Sequence, residues 1–190
     1  MSKLIAHMSM SLDGFIAGPN PAADNPLGTN GLKLHDWIFD NPAKENEVTK
    51  QFKNEMGAIV MGRTMYYESL PYWGGTGPLG DSIPCFVLTE KAGIPEIAGK
   101  PFTFVTDGIE SALTQAEKAA GQKNVLVNGG PNTIQQYIKA GLLNELVIHL
   151  VPIVLGGGTS LFGSLGVFIK LEKVAARDES AVTHLTYRFK

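Results

Sequence analysis

The sequence predicts an α/β fold in which helices flank a mixed, mostly parallel sheet that has an antiparallel C-terminal strand. Through the middle of the chain, short apolar runs alternate with runs of helical spacing, which is typical of parallel strands joined by helices. The tail differs, because residues 182–190 alternate apolar and polar side chains as a half-buried strand does. Together with residues 171–176, this tail indicates a closing antiparallel pair.

Composition limits the size of the protein and its partners. The 190 residues fit a single domain over residues 1–190. A net charge of −2 without a basic cluster argues against nucleic acid as a partner. The single cysteine, Cys85, lies in an apolar run and is expected to be a buried, inert thiol. No apolar run reaches the roughly 18 residues of a membrane helix and no signal peptide is visible, so we expect a cytoplasmic protein that acts on a small molecule.

Glycine and proline divide the first half of the chain into predicted strands, a loop and helices. Residues 3–10 predict a strand, and the turn Ser11-Leu12-Asp13-Gly14 leads into a second extended run. Residues 18–31 are rich in glycine, proline and asparagine and predict a long loop. Long loops in compact domains are usually functional. Apolar residues recur every fourth position over residues 43–56, which predicts a helix, and residues 58–61 predict the next strand.

The second half continues the alternation of strand and helix. Apolar runs predict strands over residues 83–88 and 102–105, and helical spacing follows over residues 109–120. After a further strand and helix, residues 145–155 form a long strand-like run. The apolar part of this run, residues 147–151, is compatible with a dimer interface and equally with a core strand.

Residues 125–133 read Val-Leu-Val-Asn-Gly-Gly-Pro-Asn-Thr, a strand that turns into a helix over about 132–140. The turn has almost no side chains, so a ligand can approach its backbone closely. The first amides of a helix lack partners, and the helix dipole is positive there. A phosphate is the natural occupant of such a turn. The alternative is a tight turn that needs glycine only for its backbone dihedrals.

Two other predicted strands end in turns that suit a phosphate. Gly62-Arg63-Thr64 follows one strand and offers a guanidinium at the start of a short helix, and Thr89-Glu90-Lys91 follows the next and offers a hydroxyl and an ammonium. In an open α/β sheet, ligands bind outside the carboxyl ends of the strands. If the three strands are parallel neighbours, their turns line one crevice that suits NADPH better than a mononucleotide. The alternative is that Arg63 and Lys91 are ordinary surface charges.

Two patterns are weaker than they look. Residues 75–80 match the G-x-G-x-x-G expression, but a loop precedes them, Pro78 lies inside them and a strand follows, so we reject a dinucleotide motif there. The histidines are scattered along the chain, none has metal-ligand spacing to another, and no metal site is predicted. They are His7, His35, His149 and His184.

The opposite side of the crevice would hold the substrate. Asp13 is the only carboxylate near the end of the first strand and is a candidate proton donor. The alternative is that Asp13-Gly14 simply forms a good turn. Trp37 is a candidate for stacking on a planar substrate, and the alternative is a core tryptophan.

With these residues together, the chain resembles the dihydrofolate reductase-like superfamily, in particular the branch related to the reductase domain of bacterial riboflavin biosynthesis. The resemblance covers nearly the whole chain, and its motifs are specific because they occur in this order. They are residues 10–17 (MSLDGFIA), 60–68 (VMGRTMYYE), 87–89 (VLT), 127–130 (VNGG) and 152–158 (PIVLGGG).

The resemblance implies an NADPH-dependent reductase of a small heterocyclic or ribosylamino substrate, and relatives that are often dimers. It also implies a cofactor site. Gly62, Arg63 and Thr64 would contact its phosphates, Thr89 would lie near the adenosine 2′-phosphate, Gly129, Gly130, Asn132 and Thr133 would hold the pyrophosphate, and Ile16 would border the nicotinamide.

The proton donor is the point at which the chain departs from its relatives. Dihydrofolate reductase carries an acid on the helix before its second strand, where this chain offers Glu45 and Glu47, and spacing does not choose between them. The alternative function is therefore a nucleotide-binding module or sensor without catalysis. A mononucleotide- or flavin-binding protein is a third possibility.

Overall fold

The computed structural model of the protein describes residues 2–22, 24–39, 47–94, 99–163, 165–179 and 181–190. Its strands are β1 Leu4–Ser11, β2 Phe15–Ala17, β3 Met56–Gly62, β4 Cys85–Leu88, β5 Phe102–Val105, β6 Asn124–Val127, β7 Glu145–Val151, β8 Thr159–Ser160, β9 Leu171–Glu179 and β10 Val182–Phe189. Its helices are a 3-10 helix Gly31–His35 and the α-helices α1 Asp36–Phe39, α2 Glu47–Glu55, α3 Arg63–Ser69, α4 Ile109–Ala120 and α5 Pro131–Lys139.

Among the described residues, eight strands form one sheet in the order β5-β4-β3-β6-β1-β7-β10-β9. The first six strands in this order, β5, β4, β3, β6, β1 and β7, are parallel to one another. Strand β10 is antiparallel to both of its neighbours, β7 and β9. This arrangement confirms the predicted fold class, including the closing antiparallel pair. The apolar run 147–151 is a central strand that lies between β1 and β10 and is not a free surface.

The helices from α2 onward agree with their predictions, whereas the two short helices before residue 40 were not predicted. Helices α4 and α5 begin and end within about a residue of the expected bounds. The helix predicted over residues 43–56 is described from Glu47 onward, as α2. The long loop predicted over residues 18–31 leads directly into the 3-10 helix and α1, which no spacing pattern indicated. A Cβ at Gly18 would collide with the Thr29 carbonyl oxygen, so this loop folds closely on itself.

The two faces of the sheet carry different layers. Alternation along each strand sends Leu4 and Ala6 of β1 to the face that α4 and α5 cover, where they join an extended apolar core. Ile5 points to the other face, which α3 covers with Tyr66. Cys85 is completely buried there, and burial raises the pKa of its thiol to about 12, as expected of an inert cysteine. Among the described helices, none is long and apolar enough to cross a membrane.

Tyr137 joins the two helices of the first face. Its ring is completely buried, and its hydroxyl donates a hydrogen bond of 2.9 Å to the carbonyl oxygen of Ile109, the first residue of α4. Burial raises the pKa of the phenol beyond its usual range, so the hydroxyl remains a donor at any ordinary pH.

Substitutions of Tyr137 should separate the contribution of this hydrogen bond from that of the ring. We expect Tyr137→Phe to lower the free energy of unfolding by about 1 kcal/mol, because only the hydrogen bond is lost. Tyr137→Ala should lower it by about 3–5 kcal/mol, because a cavity opens in the core. Urea denaturation of both variants measures the two costs, and equal costs would contradict this assignment.

Candidate active site

The ends of three neighbouring strands form one edge of the sheet. Strand β3 lies between β6 and β4, with Val60 paired to Val127 and Gly62 paired to Leu88. The amide of Asn128 donates a 2.9 Å hydrogen bond to the Val60 carbonyl oxygen, which extends the ladder into the glycine turn. The three turns predicted to line one crevice are therefore neighbours in space.

The first and third of these turns touch each other. A Cβ at Gly62 would lie 2.7 Å from Oγ1 of Thr133, which is buried in the first turn of α5. A Cβ at Gly129 would lie 3.3 Å from the sulfur of Met65 in α3. Glycine at position 62 is thus required by the close approach of β3 to α5.

The glycine turn leaves part of its backbone open. Gly129 and Gly130 have φ of 70° and 36°, in the left-handed region that favours glycine, so dihedral geometry alone accounts for both residues. No side chain caps α5, which begins at Pro131, and the first amides of any helix lack intrahelical partners. A Cβ at Gly130 would meet no atom within 4 Å. The turn therefore also has the open space and the donors that an anion needs.

The polar side chains that follow β3 and β4 differ in whether they already have partners within the protein. Arg63 is partly exposed at the start of α3, and no carboxylate among the described residues forms an ion pair with it; Thr64 beside it is exposed. Thr89 is more constrained. Its amide donates to the Val105 carbonyl oxygen at 3.0 Å, and its Oγ1 accepts from the Lys91 amide at 3.1 Å. The guanidinium of Arg63 therefore has no carboxylate partner among the described residues at this edge of the sheet.

Asp13 anchors a second glycine-rich loop. Its carboxylate accepts hydrogen bonds from Ser11 Oγ at 2.6 Å and from the amides of Leu155 and Gly156 at 3.1 and 2.7 Å. The Ser11 hydroxyl is the main cause that lowers the pKa of the Asp13 carboxyl, and the two amides act in the same direction. An ionised carboxylate held in this way favours the turn interpretation of Asp13, and its catalytic role stays a prediction.

Glu47, the one candidate glutamate among the described residues, is exposed at the start of its helix. Glu47 begins α2 with a side chain that is 59% exposed, and its Oε1 lies 3.0 Å from Nζ of Lys50. The inner face of α2 is instead apolar, with Val48 buried and Phe52 packed on the sheet. Glu45 lies outside the described residues. A catalytic role for Glu47 stays a prediction.

The histidines, scattered in the sequence, form one cluster in space. His7 on β1, His149 on β7 and His184 on β10 project from one face of the sheet. His149 Nδ1 lies 2.7 Å from His184 Nδ1, and His149 Nε2 lies 3.4 Å from His7 Nδ1. His35, at the end of the 3-10 helix, is close enough to influence His149 electrostatically. The cluster cannot be predicted from spacing along the sequence, because strand register brings these residues together.

Trp37 covers the cluster. Its ring lies 4.7 Å from that of His149 and 5.2 Å from that of His184, centroid to centroid, and its Nε1 donates a 3.1 Å hydrogen bond to Ser9 Oγ. On the other side, the His7 ring meets Phe52 edge-on at 3.9 Å. Trp37 therefore packs as a partly buried residue of this face, and its role in binding a planar substrate stays a prediction. Ile16 is buried in the core on the opposite face.

Burial keeps the cluster neutral. It is the largest cause that lowers the pKa of each of the four histidines, to about 3 for His149. Mutual repulsion adds to the effect for His7 and His149, whereas Glu179 on β9 opposes it for His184. At neutral pH the rings are therefore uncharged donors and acceptors of hydrogen bonds.

This strand order, with parallel strands in the middle and one antiparallel strand near the edge, is the fold of the dihydrofolate reductase-like proteins. The family model of the RibD C-terminal domain matches residues 2–185, and the chain belongs to this family of reductase-like domains. The resemblance inferred from the ordered motifs is confirmed.

Individual relatives agree with this assignment. The Bacillus subtilis protein YwjB, itself uncharacterized, is 23% identical over 186 residues, which cover 97% of each chain. A crystal structure from Shewanella sp. PV-4, whose name assigns it provisionally to riboflavin biosynthesis, is 26% identical with a TM-score of 0.75 over 99% of each chain. Dihydrofolate reductase of Enterococcus faecalis, solved with NADP(H), is 17% identical with a TM-score of 0.64 and covers 98% of this chain and 96% of its own, a likeness of fold.

The contact between Gly62 and Thr133 predicts a specific energetic coupling. Gly62→Ala should lower the free energy of unfolding by about 1–3 kcal/mol, because the added methyl group overlaps Thr133 Oγ1. In a Thr133→Ala background, the same change should cost at least about 1 kcal/mol less, because the obstructing atom is gone. Denaturation of the two single variants and the double variant completes the cycle, and additive costs would refute the contact.

The histidine cluster predicts a loss of stability in mild acid. A histidine of the unfolded chain takes up a proton near its ordinary pKa of about 6.5, whereas burial lowers the pKa of folded His149 to about 3. As the pH falls below about 6.5, protons therefore favour the unfolded chain, by up to about 1.4 kcal/mol per pH unit for each histidine that stays neutral.

Denaturation between pH 8 and 5 measures this effect while the carboxylates remain ionised. The free energy of unfolding should be constant above about pH 7 and fall below it. In His149→Gln, the free energy of unfolding should fall less steeply with decreasing pH, by up to about 1.4 kcal/mol per pH unit, because one neutral histidine has been removed. A free energy that does not change between pH 7 and 5 would exclude neutral histidines in this cluster. The other charged groups that act on the cluster are Asp36, Arg177 and Glu179.

Proposed function

We propose that the protein is an NADPH-dependent reductase that delivers hydride to the C=N or C=O carbon of a small heterocyclic or ribosylamino substrate. The observation that carries this proposal is the edge formed by the ends of β3, β4 and β6, where Gly62 and Thr133 are in contact. Membership of the RibD C-terminal domain family and the likeness of fold to a dihydrofolate reductase solved with NADP(H) support it.

The residues of this edge fit a nucleotide with several phosphates. The open amides of the α5 start, at Gly129, Gly130, Asn132 and Thr133, suit the pyrophosphate. Gly62 permits a close approach there. The uncommitted guanidinium of Arg63, with the hydroxyls of Thr64 and Thr89 nearby, suits the 2′-phosphate or the pyrophosphate. On this proposal, Ile16 borders the nicotinamide and Trp37 the substrate.

The bound cofactor would supply the hydride, and the protein would orient the reactants and supply a proton. In the reduction the acceptor carbon gains two electrons and one hydrogen, and its nitrogen or oxygen takes one proton. Neither predicted acid is well placed for that proton, because Asp13 is ionised and hydrogen-bonded and Glu47 is paired at the surface. On this proposal, water that reaches the substrate is the remaining source of the proton.

The same observation favours a second candidate function, a nucleotide-binding sensor without turnover. Two measurements separate the candidates. A reductase binds NADPH and consumes it, seen as loss of NADPH absorbance, with at least one acceptor from a panel of pterins, flavin precursors and small carbonyl compounds. A sensor binds NADPH saturably and consumes none, and a protein that binds no NADPH at millimolar concentration refutes both functions.

Arg63→Ala should reveal which phosphate Arg63 contacts. If it reads the 2′-phosphate, the affinity for NADPH should fall by about 10- to 100-fold, the loss of about 1.5–3 kcal/mol that a charged hydrogen bond represents, while NADH is little affected. Fluorescence titration with each cofactor measures both affinities. Arg177→Ala, at the distant edge of the sheet, is the matched control and should change neither. Equal losses for the two cofactors would assign Arg63 to the pyrophosphate.

A further inference from the structure

One side of strands β9 and β10 lies uncovered. Residues 172–178 of β9 are all exposed, so no described element buries either side of this strand. The neighbouring strand β10 directs Leu185, Tyr187 and Phe189 to the side of the sheet that carries the core under α4 and α5, and all three are only partly buried. A sheet surface that faces water normally carries polar side chains. Partly buried aliphatic and aromatic side chains at the open end of this sheet therefore need an explanation.

Strand pairing determines which side chains form this surface. Ala176 pairs with Leu185 and points to the same side, whereas the adjacent Ala175 points to the opposite side. The register skips Val174, so the same side continues beyond it at Lys173. We call this surface the β9–β10 face, and it consists of Leu171, Lys173, Ala176 and Asp178 of β9 and Thr183, Leu185, Tyr187 and Phe189 of β10.

The segment that precedes β9 continues the apolar surface. Phe168 is 94% exposed, and Val167 and Phe162 are exposed as well. Phe168 also borders an open cavity of about 590 Å³, whose lining residues are all apolar and include Leu171 and Phe189 of the β9–β10 face. Contiguous apolar patches of more than a few hundred Å² are rare on soluble monomers and mark sites of interaction. The β9–β10 face and this segment therefore form one candidate interface.

The size of this surface fits an interface between two proteins. Phe162 and Phe168 alone expose on the order of 250 Å², since a phenylalanine that becomes buried removes about 150–250 Å² from water. The partly buried side chains of the β9–β10 face extend this area towards the roughly 800 Å² per partner that a stable protein–protein interface buries. A second protein surface, rather than a small molecule, is therefore of the right size to cover it.

The charges of the β9–β10 face favour a second copy of this chain as its partner. Its two charged side chains, Lys173 and Asp178, have opposite signs and lie on either side of Ala176. A two-fold axis that crosses the strands at Ala176 brings each lysine beside the aspartate of the other copy. The exposed Lys170, at the same end as Lys173, adds to this complementarity. The face itself carries no net charge, which disfavours an anionic membrane as its partner.

We propose that the β9–β10 face, with Phe162 and residues 165–169 at its end, is the interface of a homodimer in which the faces of two copies pack together about a two-fold axis near Ala176. The small side chain of Ala176 lets the two sheets approach closely at the axis. The same symmetry brings Phe168 of each copy towards the hairpin end of the other. The run 147–151 takes no part in this interface, because it is a central strand.

Analytical ultracentrifugation over a concentration series tests the dimer. We expect the wild-type protein to sediment as a dimer at micromolar concentrations and to dissociate on dilution. Ala176→Glu should weaken the dimer by at least about 100-fold, because two carboxylates then meet at the axis. The matched control is Ala175→Glu, on the other side of the same strand, which should leave the dimer unchanged. Both alanines are exposed in the single chain, so neither change should unfold it.

Charge reversal tests the pairing across the axis. Lys173→Glu and Asp178→Lys should each weaken the dimer by about 10-fold, because each replaces two attractive contacts by repulsive ones. The double variant restores opposite charges and should recover the wild-type affinity. Glu172→Lys is the control, since Glu172 pairs with Arg188 on the opposite side of the sheet, and it should have no effect.

Truncation of Phe168 tests the end of the face. Phe168→Ser should weaken the dimer by about 10-fold, because a large apolar side chain no longer leaves water on association. Tyr72→Ser is the matched control, since Tyr72 is an aromatic residue that is 70% exposed in the loop after α3. It should leave the dimer unchanged.

A wild-type protein that stays monomeric over the whole series overturns the proposal, even if Phe168 then attaches it to phospholipid vesicles. A dimer that survives Ala176→Glu, or that Ala175→Glu dissociates equally, lies on another surface and also overturns it. A double charge variant as weak as the single variants overturns the two-fold pairing. Circular dichroism of each variant shows whether a change in oligomeric state reflects a loss of fold. These measurements involve no cofactor or substrate, so the dimer and the proposed function can fail separately.

Discussion

The register of the parallel strands β3, β6, β1 and β7 is the constraint on which the rest of the structure depends. It sets Val60 level with Val127 and Ala6 level with Val127, so that the turns of β3 and β6 and the His7 side chain reach the same end of the sheet. A slip by one residue would turn every side chain of a strand to the opposite face. The apolar core under α4 and α5 prevents that slip, because Leu4 and Ala6 fit only on that side. The packing of one face thereby also positions the histidine side chains on the other.

The face opposite α4 and α5 carries a polar cluster where an apolar core would be more stable. Three neutral imidazoles and Ser9 under Trp37 lose hydration on folding, and only mutual hydrogen bonds offset the loss. A half-satisfied network is less favourable than an apolar one, and here Nδ1 of His35 has no hydrogen-bond partner among the described residues. Stability alone does not account for such a network.

The features that could be predicted from the sequence are those that depend on patterns of neighbouring residues. Alternating runs and the ordered glycine turns were enough for the fold class, for α4 and α5, and for the three strand ends that meet at one edge. Short elements inside the polar loop, such as the 3-10 helix and α1, carry too few residues to show a period. The histidine cluster depends on pairings between positions more than 30 residues apart, as between His149 and His184, and single-sequence spacing contains no record of strand register. The exposure of Glu47 is consistent with the spacing of this helix, because its apolar residues Val48 and Phe52 form the face that meets the sheet.

The two glycine-rich loops of this chain show why a glycine turn alone does not define an anion site. Both expose backbone amides, and both contain glycines in the left-handed region. At the loop after β7, however, the amides of Leu155 and Gly156 already hold the Asp13 carboxylate, an anion that the chain supplies itself. At the start of α5, no side chain caps the helix and the space beside Gly130 is open. What separates a structural turn from a binding turn is whether its donors are already used within the fold. By that criterion, the loop that Asp13 closes stabilises the fold, whereas no side chain of the chain occupies the start of α5 beside Gly129 and Gly130.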